Sequence, residues 1–358
     1  MIKYIQLVTA AEANGLTAQV YPQIKHDFGA LVEPFTLHSP APQLLAGVWI
    51  ATRETLLVGN VSREIKEAVA ATVSRLNQCP YCVDAHTMML HATAAHNVAA
   101  AISHKRDDQI HDSALRVIVA WAAATRSPGD PILLAPPFLE REAPEIVGTT
   151  VVFHYINRMV DVFLSETPLP SNRGWLKRAF KRIAGWYFSR AARRPKQAGA
   201  SLALLPAAEL PTDLGWAAAS PTISDAFARW AAVVEEAGQE VLPTDVRALV
   251  RERVAAWNGE GPDLSRGWVE EVIVDLDEVD QPAARLALLT ALAWYQVDKG
   301  VIEAFRTQQP GDDKLIGATA WASFTAAQRV GTWLQVPAVT PQSTMTSTGD
   351  LFNKTDRR

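Results

Sequence analysis

Residues 74–86 read Ser74-Arg75-Leu76-Asn77-Gln78-Cys79-Pro80-Tyr81-Cys82-Val83-Asp84-Ala85-His86, and they decide how the chain is understood. Pro80 suits the first turn of a helix, where its missing N–H costs nothing. A helix beginning there carries Cys79 and Cys82 at its N-terminus, where free amides and the helix dipole favour a thiolate. Two cysteines at this spacing can close a reversible disulfide. Continued by one turn, the helix places His86 on the same face as Cys82, four residues on. His86 can then act as a base for the Cys82 thiol, directly or through a water.

The preceding stretch Arg63–Leu76 has Ile65, Ala68, Val69, Thr72, Val73 and Leu76 on one stripe, with Ser62 as its N-cap. Glu67 falls near the middle of that stripe and would be partly buried unless a polar partner met it. A cysteine–histidine pair is such a partner, and the carboxylate could orient the imidazole. Residues 113–125 and 145–164 repeat the helical period, and proline clusters at 39–42, 128–137 and 168–170 mark loops. Long alternating strand patterns are hard to find, so the chain is expected to be all-α.

The composite E-x11-C-x2-C-x3-H resembles the alkylhydroperoxidase D-like branch of the carboxymuconolactone decarboxylase-like family. It matches in identity and spacing at Glu67, Cys79, Cys82 and His86. Phe153-His154-Tyr155-Ile156-Asn157-Arg158-Met159-Val160-Asp161-Val162-Phe163 resembles the family's closing helix, and the likeness spans about residues 30–165. It implies an all-α fold, homo-oligomers and thiol-dependent peroxide reduction. Carried over, Cys82 attacks the peroxide, Cys79 resolves the sulfenic acid as a disulfide, and Glu67 and His86 relay protons. The resemblance further implies resetting by an external dithiol, lipoamide-type or thioredoxin-like. One departure is Tyr81, where the family prototype places a second histidine between the cysteines. Tyrosine shuttles protons poorly near neutral pH, its ordinary pKa being about 10.

A second copy is expected downstream. Shifting the chain by 169 lays Arg116 on Arg285, Gly148 on Gly317, Thr150 on Thr319 and Tyr155 on Phe324. Upstream, a shift of 181 lays Glu64-Ile65-Lys66 on Asp245-Val246-Arg247, so the copy would be shorter by 12 residues in its middle. At that shift Glu67, Cys79, Cys82 and His86 fall on Ala248, Glu260, Asp263 and Gly267, a degenerate and inert lobe. Its tryptophans (Trp257, Trp294, Trp321, Trp333) would bury surface against the first lobe or a neighbouring subunit. The expected organisation is a CxxC-bearing domain over residues 1–170, a basic amphipathic connector over 171–200, the degenerate domain over 201–339 and a disordered tail over 340–358. Residues 172–196 hold nine basic side chains and no acidic one, read as a connecting helix that packs its aromatics and solvates its charges.

Composition bounds the rest. Apolar residues make up 48% and charged residues 20%, which excludes a disordered chain. A net charge of −4 gives no chain-wide field for nucleic acid, and two cysteines exclude a disulfide-rich scaffold. No apolar run reaches the roughly 18 residues of a membrane span, and no signal peptide opens the chain, so a cytoplasmic protein is expected. No glycine-rich phosphate loop is visible, and no cofactor is expected. A zinc site would use Cys79, Cys82 and His86 with His91 or His96, but His91 points off the face of His86, and structural zinc draws ligands from two elements. His154, on the closing helix, is a candidate to approach the site. Two other functions compete with peroxide reduction: a lyase acting on a small carboxylated lactone, which would not need the cysteine pair, and a non-catalytic redox sensor.

Overall fold

The computed structural model describes residues 2–164 and 196–334. Its longer helices are α1 (Gly15–Phe28), α2 (Pro42–Thr52), α3 (Arg63–Leu76), α4 (Pro80–Ala92), α5 (His96–Ser103), α6 (Ser113–Ala123) and α7 (Ala143–Phe163). After the undescribed stretch come α8 (Pro221–Val241), α9 (Thr244–Ala256), α10 (Gly267–Ile273), α11 (Gln281–Leu292), α12 (Lys299–Gln308) and α13 (Asp312–Trp333). Among the described residues no strand forms, and the one isolated bridge joins Ile2 to Leu164. The fold is all-α. Local chemistry sets the boundaries. Ser62 accepts from Ile65 N to cap α3, Asp112 caps α6 and Asp298 caps α12. Proline stands in the first turn of α2, α4, α7, α8 and α11. Gly29 closes α1 at φ +89°, a backbone conformation that costs glycine least.

The domain is duplicated, and helix order shows how. The sequence α2, α3, α5, α6, α7 of the first lobe recurs as α8, α9, α10, α11, α13 in the second. Gly148 and Gly317 are each the sixth residue of their helices, and Tyr155 and Phe324 each the thirteenth. Thr150 and Thr319 each return their hydroxyl to the carbonyl four residues back. The missing 12 residues fall on α4: the chain between α9 and α10, residues 257–266, contains no helix. The second lobe has therefore lost the cysteine helix as a unit. This corrects the residue-by-residue correspondence expected beyond Ala256, because Asp263 and Gly267 replace no side chains on a matching helix.

Equivalent helices meet across the lobes, α7 against α13 and α2 against α8. This is the self-complementary pairing of a two-fold dimer, built inside one chain. The edge-on rings of Tyr155 and its repeat-mate Phe324 clasp Trp230, at 4.9 and 4.7 Å between centroids. Gly47 lets α2 and α8 approach: a Cβ there would stand 2.5 Å from Trp230 Cδ1. One apolar core runs through both lobes, and a smaller cluster of Ala68, Ala71, Leu90, Val98, Ile102, Leu115 and Val119 lies under α3, α5 and α6. Trp257 and Trp294 do meet the first lobe, through Arg126 and Arg158, whereas Trp321 donates to Glu235 inside the second. The basic stretch 172–196, Lys196 apart, the 168–170 prolines and the tail 340–358 lie outside the described residues.

Candidate active site

Helix α3 ends at Leu76, and the chain reverses into α4 through Asn77 and Gln78, the latter at φ +57°. Cys79 becomes the N-cap of α4, and its N–H donates to Ser74 O at 2.9 Å. Helix α7 pins this turn from below. Asn77 Nδ2 donates to Asn157 Oδ1 at 2.9 Å, and Asn157 Nδ2 to Ser74 Oγ at 3.1 Å. His154 belongs to the same network. Its Nδ1 lies 3.1 Å from Asn77 Nδ2 and its Nε2 3.1 Å from Thr125 Oγ1. Burial, reinforced by the nearby Arg158 and Arg126 charges, holds the ring well below its ordinary pKa. His154 is thus a neutral structural histidine whose two ring nitrogens are both engaged in holding the turn.

The structure brings Glu67, His86 and the cysteines together. Glu67, fully buried, stands on α3 with Oε2 2.6 Å from His86 Nδ1 on α4. Its other oxygen accepts from Arg63 Nε, also at 2.6 Å and one turn earlier. Burial alone would raise the Glu67 carboxyl, but the Arg63 and His86 charges and their hydrogen bonds outweigh it, leaving the carboxyl below the usual range. The carboxylate therefore fixes the imidazole with Nδ1 as donor, which leaves Nε2 as the nitrogen free to take a proton. Phe153 of α7 stands edge-on to the ring, 4.4 Å between centroids, and fixes its plane.

Both cysteines are free thiols in buried positions, Cys79 at 0% and Cys82 at 2% exposure. They differ in surroundings. Cys82 lines a cavity that also reaches His86. Cys79 is sealed, and burial pushes its thiol well above the ordinary value, with Cys82 and Asp161 adding to the rise. Here burial outweighs the helix N-terminus, and the Cys79 side chain makes no capping hydrogen bond. Tyr81 donates to Glu33 Oε2 at 2.8 Å, and burial, then Glu33, holds its phenol far above its ordinary value. Its hydroxyl is thereby committed as a donor to Glu33.

Three neighbours were not read from the sequence. Arg63 could have been, since it stands four residues before Glu67 on one helix face. Asp161 gave a fainter signal, an acidic residue inside the apolar closing helix. Trp294, which donates to Asp161, comes from the other lobe and gave none.

The Cys82 cavity holds about 230 Å3 and is walled by Phe28, Val32, Phe35, Met89, Phe153 and Ile156. Glu33 and Asp84 are its charged lining, with no lysine or arginine among the described residues there. Among the described residues no group of three or more His, Cys, Asp or Glu side chains is placed to hold a metal ion. His91 and His96 instead face each other, Nδ1 to Nδ1 at 2.9 Å, near the far end of α4. No helix of the described residues is long and apolar enough to cross a membrane.

The profile of the carboxymuconolactone decarboxylase family matches residues 43–109, which run from α2 to just beyond α5. A protein named alkyl hydroperoxide reductase, from Mycobacterium tuberculosis (strain ATCC 25618 / H37Rv), is 40% identical over 348 residues, covering 97% of this chain and 99% of its own length. Coverage of that extent takes in both lobes. No solved structure matches. With the duplicated helical fold and the Glu67, Cys79, Cys82 and His86 constellation, these matches establish that the chain belongs to the carboxymuconolactone decarboxylase family, in its alkylhydroperoxidase D-like branch.

Proposed function

We propose that the protein is a thiol-dependent peroxidase that reduces organic hydroperoxides through Cys82 and Cys79. The observation that carries this is the buried Glu67 carboxylate of α3, 2.6 Å from His86 Nδ1, with His86 on the helix of Cys82 and lining the same cavity. Nε2 of His86 takes the Cys82 proton, and the thiolate attacks the terminal peroxide oxygen. A sulfur–oxygen bond forms, the O–O bond breaks, and the alkoxide leaves as an alcohol with the proton from His86. Cys79, kept as a thiol by burial, then condenses with the sulfenic acid, releasing water and closing the disulfide. An external dithiol, lipoamide-type or thioredoxin-like, reopens it.

The cavity supports the substrate class. Its aromatic and aliphatic walls favour a hydroperoxide bearing an apolar group over hydrogen peroxide, and the name of the M. tuberculosis relative points the same way. The lyase alternative fits less well, because a carboxylated lactone would meet Glu33 and Asp84, with no lysine or arginine among the described residues of that wall. Turnover of cumene hydroperoxide with dihydrolipoamide or dithiothreitol tests the proposal. Consumption that depends on both cysteines supports it, and a disulfide that forms without turnover would instead favour a redox sensor.

A further inference from the structure

The second lobe meets an acid beside the site. Asp161, on the last turn of α7, stands close enough to the Cys79 thiol for the two groups to shift each other's titration. Trp294 of the second lobe donates its indole N–H to Asp161 Oδ2 at 2.8 Å. The same tryptophan stacks on Arg158, 4.4 Å from guanidinium carbon to ring centroid, and Arg158 donates to Ala291 O of the second lobe. Asp161 also lines a cleft of about 700 Å3 between the lobes, together with Lys3, Arg126, Leu264, Trp294 and Tyr295. Cys79 itself is sealed from solvent, whereas Asp161 opens on the cleft. The Cys82 cavity with His86 has a separate lining, sharing only Tyr81 with the cleft.

We propose that Asp161 is the proton acceptor of the resolving cysteine, and that the second lobe holds it in place through Trp294. The step rests on the peroxidase reading above. Cys79 Sγ–H gives its proton to the Asp161 carboxylate, and Cys79 Sγ attacks Cys82 Sγ of the sulfenic acid. The S–S bond forms as the S–O bond breaks. Hydroxide leaves as water, with a proton from His86 recharged through the substrate cavity. The preceding peroxide step has supplied the oxidation, so no other oxidant is needed. When an external dithiol attacks Cys82, Cys79 leaves as a thiolate and takes its proton back from Asp161. Each half of the reaction thus has its own base, Glu67–His86 for the attacking thiol and Asp161–Trp294 for the resolving one. Burial raises the Asp161 carboxyl to about 7, against the lowering effect of Cys79, Trp294, Lys3 and Arg158, where a base working near neutrality is most effective. The charged and titratable groups facing it are Cys79, Lys3 and Arg158, with Arg126, Tyr81 and Tyr295 farther along the cleft.

The test separates the two chemical steps. Reduced full-length protein is mixed rapidly with cumene hydroperoxide, quenched at intervals, and sulfenic acid and disulfide are counted by mass spectrometry from pH 5.5 to 9. In the unaltered protein, disulfide formation should slow as pH falls through about 7, where Asp161 becomes protonated. Asp161→Asn should slow it relative to the peroxide step by on the order of 100-fold at pH 8 and push its pH dependence up toward the thiol's own titration. Trp294→Phe keeps the ring and removes the N–H, and should move the midpoint to higher pH, which a merely structural role would not do. If sulfenic acid forms and both variants resolve it with the unaltered rate and midpoint, the role of Asp161 is wrong while the peroxidase reading stands. If the unaltered protein forms neither sulfenic acid nor disulfide, the peroxidase reading fails, and this proposal fails with it.

Discussion

Replacing Glu67 by glutamine removes one charge from the centre of the relay with little change in shape, and the structure sets what should follow. Glu67 now accepts two donors at 2.6 Å, Arg63 Nε and His86 Nδ1. An amide offers one carbonyl oxygen and one NH2. With the oxygen toward Arg63, the NH2 faces His86 and forces the tautomer with Nδ1 as acceptor and Nε2 protonated, which cannot take the Cys82 proton. With the oxygen toward His86, the NH2 meets the Arg63 guanidinium donor to donor, and the imidazolium loses its counter-charge. Either arrangement removes most general-base assistance, a factor of ~100–10,000, or about 3–5 kcal/mol on the barrier. The cost to folding should be smaller, about 1–2 kcal/mol, because Arg63 is 18% exposed and can turn to water. Rapid mixing of the reduced variant with cumene hydroperoxide measures the first effect, and urea unfolding the second. A folded Glu67→Gln protein that reacts at the unaltered rate, with the unaltered pH profile, would refute the relay.

Other perturbations probe other parts of the molecule. Cys82→Ser should abolish reaction with peroxide, whereas Cys79→Ser should react once and leave a sulfenic acid that dimedone traps; normal dithiol-driven turnover by the second variant would show that Cys79 does not resolve. Glu145→Ala strands Lys66, buried 2.7 Å from that carboxylate, and should cost ~3–5 kcal/mol by urea unfolding; a loss under 1 kcal/mol would mean that the ammonium finds water. Gly47→Ala drives a methyl into Trp230 where α2 crosses α8, and should cost ~1–3 kcal/mol and shift the indole fluorescence; an unchanged melting temperature would mean that the lobes separate more easily than their packing indicates.

Local chemistry made much of this legible in advance. Helix α3 runs from Arg63 to Leu76 behind its Ser62 cap, as its apolar stripe and N-cap require. The spacing of Glu67, Cys79, Cys82 and His86 marked candidate residues that the fold places near one another, because α3 and α4 pack as a hairpin around the Asn77–Gln78 turn. What sequence could not supply was anything set by distant packing. Position on the closing helix made His154 a candidate for the site, but partners from two other segments, Asn77 and Thr125, turn it into a structural residue. Cys79 sits at a helix N-terminus that favours the thiolate, yet burial raises its pKa, and burial is a property of the assembled core. A fixed-offset alignment continues through a deletion, so it set Cys82 against Asp263 when the structure shows the whole helix α4 missing from the copy. Trp294 stands 133 positions from Asp161, a contact that only the pairing of the two lobes creates.

The most direct measurement is the stoichiometry of one turnover. Fully reduced protein is mixed with one equivalent of cumene hydroperoxide, and the cumyl alcohol, the remaining thiols and the Cys79–Cys82 peptide are quantified together. The expected result is one alcohol per chain, loss of both thiols, and a peptide lighter by two hydrogens, restored by dithiothreitol. Recovery of the peroxide with both thiols intact would contradict the proposed chemistry.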